Sequence, residues 1–490
     1  MSSTTNIGHS PKTIAPHSAA KRLNLSESII AGIVAITDAT LVLASGAAIL
    51  FYYVDSAEVN TSLYALALIL TTYIVVHFFT IAKLYRFQKI VKPWRQFPRI
   101  LAACTMAFMF LVATAFLLKA SESFSRVWVL SWLLSAVVLV QLGRSTIAWL
   151  LEAAGAQGLL TRRIIVFGHT EAAREYMLNM IKASQPWNEV VGLFDDRRNR
   201  PGPATQLREI SGDLNDLIAA ARRKRVDEIF ISLPWSGSNE RIEAILGRLS
   251  VLPARVNLFV SSSLERRLDR DIHKEFNVTV RTIYERPMTG WQALLKRLFD
   301  LCVSLLVLLL TAPVFLIVAL AIKLDSPGPV FFRQDRFGFN DELIPVWKFR
   351  TMHNKLTDKN AERLATVNDP RVTKVGRILR KTSLDELPQL LNVLNGSMSL
   401  VGPRPHATRA KAGDRLYQEV IEGYGSRHRV RPGITGWSQV NGWRGETDTD
   451  EKIIRRVEHD LYYISHWSIW LDIRILLRTI QVALKTDNAY

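Results

Sequence analysis

The sequence from Arg380 to Pro405 reads RKTSLDELPQLLNVLNGSMSLVGPRP. Ser383 and Glu386 have the spacing of a capping box, and four leucines follow at helical spacing. These are Leu387, Leu390, Leu391 and Leu394. Asn395-Gly396 supplies a left-handed residue that ends a helix. The pattern therefore predicts a short helix with Asp385 in its first turn, where free N–H groups and the helix dipole keep a carboxylate ionised.

Basic residues lie on both sides of this predicted helix. Met398 to Val401 is predicted as a short strand, and the turn that follows holds Arg404 between two prolines, which limits its freedom. The basic residues before the helix are Lys374, Arg377, Arg380 and Lys381. An ionised carboxylate among such cations can act as a nucleophile toward a phosphate group. The alternative is that Asp385 and Glu386 only cap an ordinary helix.

The block 383–405, together with RVRPGITGWSQVNG at 429–442, resembles the bacterial sugar transferase family. Members of that family are monotopic phosphoglycosyl transferases, which move a hexose-1-phosphate from a nucleotide diphosphate sugar to a polyprenyl phosphate. The resemblance covers residues 291–490, which we take as the catalytic domain. It implies that Asp385 forms a covalent intermediate with the sugar phosphate, that UMP leaves, and that the polyprenyl phosphate then attacks.

The composition indicates a multidomain membrane protein with an anionic partner. A chain of 490 residues holds two or three domains, and 48% hydrophobic residues with a mean hydropathy of +0.10 are high for a soluble protein. The net charge of +18 favours phosphates or acidic headgroups, whereas nucleic acid is disfavoured because basic residues lie beside apolar segments. Cys104 and Cys302 lie in apolar runs and offer no disulfide framework or metal site. Residues 1–24 are predicted as a disordered tail without a cleavable signal peptide.

Four apolar segments within residues 25–155 are predicted to cross a bilayer. They are 28–53, 63–82, 100–118 and 127–151. Basic residues concentrate at one set of segment ends and the opposite loops are acidic or mixed, so the N-terminus and everything after residue 160 are predicted to be cytoplasmic. Asp38, inside the first segment, is either functional or paired with a polar group of a neighbouring helix.

Residues 160–285 alternate between strand and helix patterns. The stretches RRIIVFG, EVVGLFDD, DEIFISL and RVNLFV are predicted strands, which is typical of a parallel, doubly wound, Rossmann-like sheet. The first turn, residues 168–173, is a degraded dinucleotide fingerprint with Thr170 and Ala173 in place of two glycines. We therefore predict a structural, oligomerising or regulatory domain rather than a cofactor site.

A fifth apolar segment, residues 296–323, is predicted to enter and leave the membrane on the same side. Lys296-Arg297 and Lys323 flank it, and positive charge at both ends is poorly explained by a crossing helix. Pro313 removes a helical hydrogen bond near the middle and is predicted to bend the helix. The family resemblance implies the same re-entrant helix, although Ala312 stands where serine is expected.

The resemblance also implies roles for individual residues. Asp385 is the nucleophile, Glu386 is its catalytic partner and a metal ligand, and Asp460 is a second metal ligand; such hard oxygens suit Mg²⁺. The predicted phosphate and nucleotide contacts are Lys348, Arg350, Arg380, Arg404 and Arg444. Asp460 is alternatively a solvated helix residue. Segment 451–484 is predicted as one or two helices, with aromatic residues that suit the headgroup layer or an ordinary core.

The predicted fold class is a multidomain membrane protein of α and α/β parts. It combines a four-helix transmembrane bundle, a Rossmann-like α/β domain and a mostly helical catalytic domain with a re-entrant helix. The resemblance implies transfer of glucose-1-phosphate from a UDP-sugar to undecaprenyl phosphate at the cytoplasmic face of the bacterial inner membrane, as the first step of exopolysaccharide or capsule synthesis. Galactose is the alternative sugar. A membrane-anchored nucleotide-sugar sensor, a transferase that uses the four-helix bundle as its site, and a homodimeric assembly stay open.

Overall fold

The computed structural model describes most of the chain. The described residues are 26–54, 60–183, 187–196, 203–233, 239–260, 272–354, 369–406, 411–412, 415–417, 421, 423–443, 445 and 449–484. The predicted tail at 1–24 and the predicted phosphate contact Arg444 lie outside them. The chain divides into two compact units, with the main boundary between Thr161 and Arg162; the short segment Gln185–Glu189 is grouped with the first unit.

Long apolar helices form the first unit. Its helices are α1 Glu27–Tyr53, α2 Thr61–Ile81, α3 Phe87–Ile90, α4 Phe97–Leu117 and α5 Arg126–Ala156. Apart from the single turn α3, each is long and apolar enough to span a bilayer. The four predicted apolar segments are therefore confirmed as helices.

Asp38 of α1 is buried inside this unit in an ion pair. Its Oδ2 lies 2.7 Å from NH2 of Arg144 on α5, and both side chains are buried. Nearby, Trp132 Nε1 of α5 donates to the Val42 carbonyl of α1 at 2.8 Å. The predicted pairing of Asp38 with a polar group of a neighbouring helix is confirmed.

A six-stranded sheet forms the first part of the second unit, in the strand order β2-β1-β3-β4-β6-β5. The strands are β1 Arg162–Phe167, β2 Asn188–Phe194, β3 Glu228–Ile231, β4 Arg255–Phe259, β5 Ile272–Glu275 and β6 Val278–Tyr284; the helices are α6 Glu171–Ala183, α7 Leu214–Lys224 and α8 Asn239–Leu249. Strands β1, β3 and β4 are parallel neighbours with buried side chains. The predicted alternation of strand and helix is confirmed for β1 to β4.

The sheet is not parallel throughout. Strand β6 runs antiparallel to β4, and β5 and β6 form an antiparallel hairpin. Its turn residues Phe276 and Asn277 have φ values of 47° and 62°, as a tight hairpin turn requires. The four predicted strands end with β4, so the sequence misses this antiparallel hairpin. The polar sequence IHKE of β5 lacks the apolar run of a buried strand.

The turn after β1, residues 168–173, packs against Ser232, which directly follows β3. Gly168 has φ +98°, and a Cβ at this position would lie 1.8 Å from the Ser232 carbonyl oxygen. The Thr170 hydroxyl forms a hydrogen bond with the Ser232 hydroxyl. The glycine is thus required by the fold itself, and the structural or regulatory role of this domain stays a prediction.

The rest of the second unit begins with one long helix, α9 Trp291–Asp325, which continues as a helix through Pro313. The remaining elements are β7 Phe331–Phe337, β8 Leu343–Phe349, α10 Lys374–Thr382, α11 Gln389–Asn395, β9 Ser399–Val401, β10 Lys411–Ala412, β11 Arg415–Leu416, β12 Gly433–Thr435, α12 Trp437–Val440, α13 Asp450–Ser465 and α14 Ile469–Leu484. Like the four helices of the first unit, α9 is long and apolar enough to span a membrane.

Both ends of α9 contact the same body of protein. Near its start, Lys296 Nζ lies 2.6 Å from Asp472 Oδ2 of α14. At its end, Asp325 accepts a hydrogen bond of 3.1 Å from the Val375 N–H of α10. The surface turned away from this body is apolar and exposed, and includes Leu305, Leu306, Leu309, Leu310, Leu316, Ile317 and Leu320.

Segment 451–484 forms two helices, α13 and α14, as one of the predicted alternatives has it. Its aromatic residues are divided between core and surface. Tyr463 is buried and donates a hydrogen bond of 2.8 Å to Asp472, whereas Trp470 is 76% exposed. Only part of the predicted aromatic set is therefore free to face a membrane surface.

Candidate active site

The two predicted carboxylates lie in a 3-10 turn, Leu384–Glu386, between α10 and α11. Ser383 has a left-handed φ of 57°, and its N–H donates to the Arg380 carbonyl at 3.1 Å. Ser383 therefore ends α10 and directly precedes the 3-10 turn without a side-chain capping hydrogen bond, so the predicted capping box is wrong. Helix α11 begins only after Pro388, and its predicted end at Gly396, with φ +87°, is confirmed.

Glu386 is held by two cations. Its Oε1 lies 2.8 Å from Lys348 Nζ and 2.6 Å from Arg404 NH2. Burial acts to raise the pKa of Glu386, but Arg404 and Lys348 outweigh it and hold that pKa well below its ordinary value. Glu386 is therefore a fixed carboxylate that orients Lys348 and Arg404.

Asp385 lies beside this cluster and is held less tightly. Its Oδ2 lies 3.6 Å from Lys348 Nζ, and its side chain is 13% exposed. Burial raises the pKa of Asp385; Lys348 opposes the rise, and the neighbouring Glu386 adds to it. The sequence predicts that a helix terminus keeps Asp385 ionised, whereas in the structure its ionisation depends on Lys348 and the nearby arginines.

Two close strands position Arg404. Gly402 follows β9, Gly433 starts β12, and a Cβ on Gly433 would lie 2.1 Å from the Gly402 nitrogen. The glycines of the VGPRP and RPGITG motifs thus allow two backbone segments to touch. That contact places the turn carrying Arg404 against Glu386.

Arg427 supports this turn from behind. Its NH2 donates to the Arg404 carbonyl at 2.8 Å and lies 2.6 Å from Asp460 Oδ2, with both ion-pair side chains fully buried. The other carboxylate oxygen, Asp460 Oδ1, accepts a hydrogen bond of 3.0 Å from Ser438. Asp460 is therefore not a solvated helix residue, and protein groups engage both of its oxygens.

The predicted Mg²⁺ site concerns the same carboxylates. Within the part of the chain that the structure describes, no group of three or more His, Cys, Asp or Glu side chains could hold a metal ion. Mg²⁺ at phosphate sites is commonly bound by one or two carboxylates, with substrate phosphates and water completing its shell. Glu386, whose side chain is 15% exposed, fits that limited role. Asp460 is 1% exposed and paired with Arg427, and its role as a second ligand stays a prediction.

Arg380 interacts with Asp385, whereas Arg350 contacts the end of α9. Arg380 Nε donates to the Thr351 hydroxyl at 3.0 Å, and burial lowers the pKa of Arg380 while Asp385 opposes the shift. The buried Arg350 donates to the Ser326 carbonyl at 2.7 Å and the Pro327 carbonyl at 2.6 Å. Arg350 therefore closes the end of α9, and its role as a phosphate contact stays a prediction.

Sequence reasoning misses Arg336 of β7 as a site residue. Its NH1 donates to the Pro405 carbonyl at 2.8 Å, and burial, together with the neighbouring Arg404, lowers the pKa of Arg336 to about 10. In the β7–β8 hairpin, Phe332 pairs with Lys348, and Arg336 lies four residues further along β7. Because side chains alternate along a strand, Arg336 and Lys348 share one face of the hairpin.

The site as a whole carries excess positive charge. Arg336, Lys348, Arg380 and Arg404 surround two carboxylates, which leaves two positive charges without a negative partner in the cluster. A diphosphate ester, with one negative charge on each phosphate, would balance them. The arrangement suits a nucleotide diphosphate.

The carboxylate turn also borders the apolar helix α9. Leu384 and Leu387, on either side of the carboxylates, pack in one cluster with Val318 and Ile322 of α9. A charged site and a long exposed apolar surface therefore meet at this turn.

Comparison with known proteins gives two family matches. A family described as bacterial sugar transferase matches residues 291–486, and one described as a CoA-binding domain matches residues 80–259. The first match includes every described member of the cation and carboxylate cluster.

Full-length relatives extend the comparison. The chain is 39% identical over 421 residues to the UDP-glucose:undecaprenyl-phosphate glucose-1-phosphate transferase of Escherichia coli (strain K12), covering 84% of this chain and 86% of that protein. It is 32% identical over 496 residues to the protein of the same name from Xanthomonas campestris pv. campestris, covering 100% and 99%. It is 52% identical over 196 residues to the exopolysaccharide production protein PSS of Rhizobium leguminosarum bv. phaseoli, covering 40% and 98%.

The cluster of carboxylates and cations and these matches define the class of this protein as a transferase. Within that class, the chain belongs to the bacterial sugar transferase family.

Proposed function

We propose that this enzyme transfers glucose-1-phosphate from UDP-glucose to undecaprenyl phosphate, the initiating step of exopolysaccharide or capsule synthesis. The observation that carries the proposal is the pair Asp385–Glu386, with its surrounding cations, at the edge of helix α9. The Escherichia coli and Xanthomonas relatives are both named for glucose, which favours glucose over the galactose alternative.

In the first step, the Asp385 carboxylate attacks the phosphorus that bears the sugar. A bond forms between Asp385 and that phosphorus, and the bond to the bridging oxygen breaks, so that UMP leaves with the electron pair. The raised pKa of Asp385 supports this role, since a more basic carboxylate is a better nucleophile once it is ionised. Arg404, Lys348 and the neighbouring arginines neutralise the phosphate oxygens.

In the second step, an oxygen of undecaprenyl phosphate attacks the same phosphorus. The acyl-phosphate bond breaks, the Asp385 carboxylate is restored, and the product is a polyprenyl diphosphate sugar. Both nucleophiles are anions, so neither step needs a general base. The cations are needed in both steps because each one brings an anion toward a phosphate.

We also propose Mg²⁺ as a partner of the donor phosphates. Glu386 would hold it, which leaves Asp385 free to attack, and the ion would supply further charge neutralisation at the diphosphate. Arg444, in the GWRG stretch, stays a predicted nucleotide contact.

The membrane arrangement that we propose is a re-entrant α9 at the cytoplasmic face of the bacterial inner membrane. Contacts at both ends of α9 support it, because Lys296 and Asp325 bind parts of one compact body and that body cannot lie on both sides of a bilayer. The acceptor's hydrocarbon would then lie along the exposed leucines while its phosphate reaches the carboxylate turn.

Membranes containing the full chain test this function with UDP-glucose labelled in the sugar. We expect UMP release and labelled protein without acceptor, and transfer of the label to lipid when undecaprenyl phosphate is added. Asp385→Asn should remove all three signals, whereas Asp335→Asn, which changes an exposed aspartate of β7, should leave them intact. Undiminished UMP release by Asp385→Asn would refute the proposal, and donor binding without any release would favour the sensor.

A further inference from the structure

The turn between β7 and β8 is held by helix α7 of the α/β sheet domain. Arg222 of α7 forms an ion pair with Asp341. The Asn340 side chain donates to the Arg222 carbonyl at 3.1 Å. Arg225 donates two hydrogen bonds to the carboxylate of Glu342, at 3.0 Å and 2.8 Å. The C-terminal end of α7 therefore fixes the position of residues 340–342.

Residues 340–342 in turn contact the 3-10 helix Tyr424–Arg429 through Asp341. Asp341 forms a hydrogen bond with His428 Nδ1, and the Phe337 ring stacks on His428 with 5.7 Å between ring centroids. The sheet domain also contacts the 3-10 helix directly, since the Ser250 and Ser426 hydroxyls lie 3.3 Å apart. The position of this 3-10 helix thus depends on the sheet domain at more than one point.

Arg427 connects the 3-10 helix to the catalytic cluster through its 2.8 Å hydrogen bond to the Arg404 carbonyl. Burial increases along this path, from 66% exposed at the Arg225 side chain to 6% at His428 and 1% at Arg427. An exposed ion pair adds little stability, whereas a buried one is costly to disturb. Loss of the outer ion pairs should therefore leave the fold intact. A shift of the 340–342 turn would still reach Arg404 through the buried residues His428 and Arg427.

We propose that Arg222 and Arg225 of α7 are positioning residues for the transfer site, and that they hold Arg404 in place through the 340–342 turn, His428 and Arg427. The inference rests on the proposed function. The sugar transferase family match begins at residue 291, so α7 lies outside it, and this positioning is a contribution of the sheet domain.

The test uses the full chain in lipid nanodiscs, with Arg222→Ala, Arg225→Ala and the double variant. Arg223→Ala is the matched control, because it removes the same charge from an exposed position of the same helix. We expect the double variant to raise the KM for UDP-glucose by about two- to thirtyfold, the range of coupling carried by such networks. The melting temperature should not change, because the outer ion pairs are exposed, and Arg222→Lys should recover part of the loss. Arg225→Glu alone should raise the KM for UDP-glucose. Adding Glu342→Arg, which re-forms the ion pair with the charges reversed, should return that KM toward the wild-type value.

Two results would overturn the inference. In one, the double variant raises the donor KM no more than Arg223→Ala does. In the other, the donor KM rises together with a fall in melting temperature, which would make α7 a stabilising element only. Failure of the proposed function is a separate result, seen as UMP release that is absent from the wild type or undiminished in Asp385→Asn.

Discussion

Asp385 and Glu386 are adjacent in one 3-10 turn, yet the structure shifts the pKa values of their carboxyl groups in opposite directions. Arg404 and Lys348 overcome burial at Glu386 and lower its pKa, whereas burial prevails at Asp385 and raises its pKa. Arg404 contributes most to the difference, since its NH2 lies 2.6 Å from Glu386, and Lys348 Nζ is 2.8 Å from Glu386 but 3.6 Å from Asp385. One carboxylate is thus part of the framework, and the other is available to react.

Stability should respond oppositely to removal of these two charges. The raised folded-state pKa of Asp385 means that its ionisation opposes folding at neutral pH, so Asp385→Asn should keep or increase the melting temperature. Its transfer activity should fall by about 10³-fold or more. The lowered pKa of Glu386 contributes stability above its unfolded pKa, so Glu386→Gln should cost about 1–3 kcal/mol. Thermal melts of both variants in one detergent check the order, and a less stable Asp385→Asn would contradict it.

The pH dependence of kcat/KM for UDP-glucose should have an acid limb set by Asp385. Activity falls as the pH drops through the pKa of Asp385, because the protonated acid cannot attack phosphorus. Lys348 lowers this pKa and Glu386 raises it. Lys348→Met should therefore move the acid limb to higher pH and Glu386→Gln to lower pH. An acid limb that stays in place in both variants would assign the titration to another group.

Arg350→Met should affect stability and not donor binding. The guanidinium donates to carbonyls at the end of α9, and its loss leaves buried acceptors unpaired at a cost of about 1–3 kcal/mol. Melting temperature and donor KM, measured side by side with Arg404→Met, separate the two arginines. We expect a raised KM only for Arg404→Met, and a raised KM for Arg350→Met at unchanged stability would support its predicted role as a phosphate contact.

Chelation of divalent ions should stop transfer, and added Mg²⁺ should restore it. Asp460 is engaged by Arg427 and Ser438, so Asp460→Asn should lower stability without changing the Mg²⁺ concentration that gives half-maximal activity. Glu386→Gln should raise that concentration. Titration of Mg²⁺ with each variant checks both expectations, and a raised requirement in Asp460→Asn would support the predicted role of Asp460 as a second ligand.

Labelling of introduced cysteines should place both ends of α9 on one side of the membrane. The described residues include two free cysteines, Cys104 and Cys302, and serine at both positions gives a background for Gln292→Cys and Lys323→Cys. An impermeant thiol reagent should label both new cysteines from the cytoplasmic side and neither from outside. Labelling from opposite sides would show that α9 crosses the bilayer.

The sequence predicts the membrane helices and strands β1 to β4 well, because length and apolar content determine them locally. It also selects Asp385, Glu386, Lys348, Arg380 and Arg404, which the structure brings into one cluster. Prediction from the sequence fails where contacts with distant chain segments override a local pattern. Glu386 has the spacing of a capping residue, but its partners lie 38 and 18 residues away, and no local pattern includes them.

Strand geometry explains why Arg336, and not Arg350, shares a face of the β7–β8 hairpin with Lys348. The sequence places Arg350 two residues after Lys348, which suggests a shared strand face, but strand β8 ends at Phe349. Beyond that point the alternation no longer applies, and Arg350 turns back to the end of α9. Arg336 lies on the neighbouring strand, and only the register of the β7–β8 pair shows that it belongs to the same face.

In the proposed membrane arrangement, helix α9 gives the bilayer a role in the architecture of the enzyme. A domain normally covers both sides of an apolar helix with its own layers, but here protein covers one side and the other exposes leucines and isoleucines. If α9 lies in lipid, acyl chains take the place of the absent protein layer and form one wall of the reaction chamber. Extraction into detergent would then replace this lipid wall with detergent. Bilayer thickness and fluidity would affect turnover as directly as a substitution in the core.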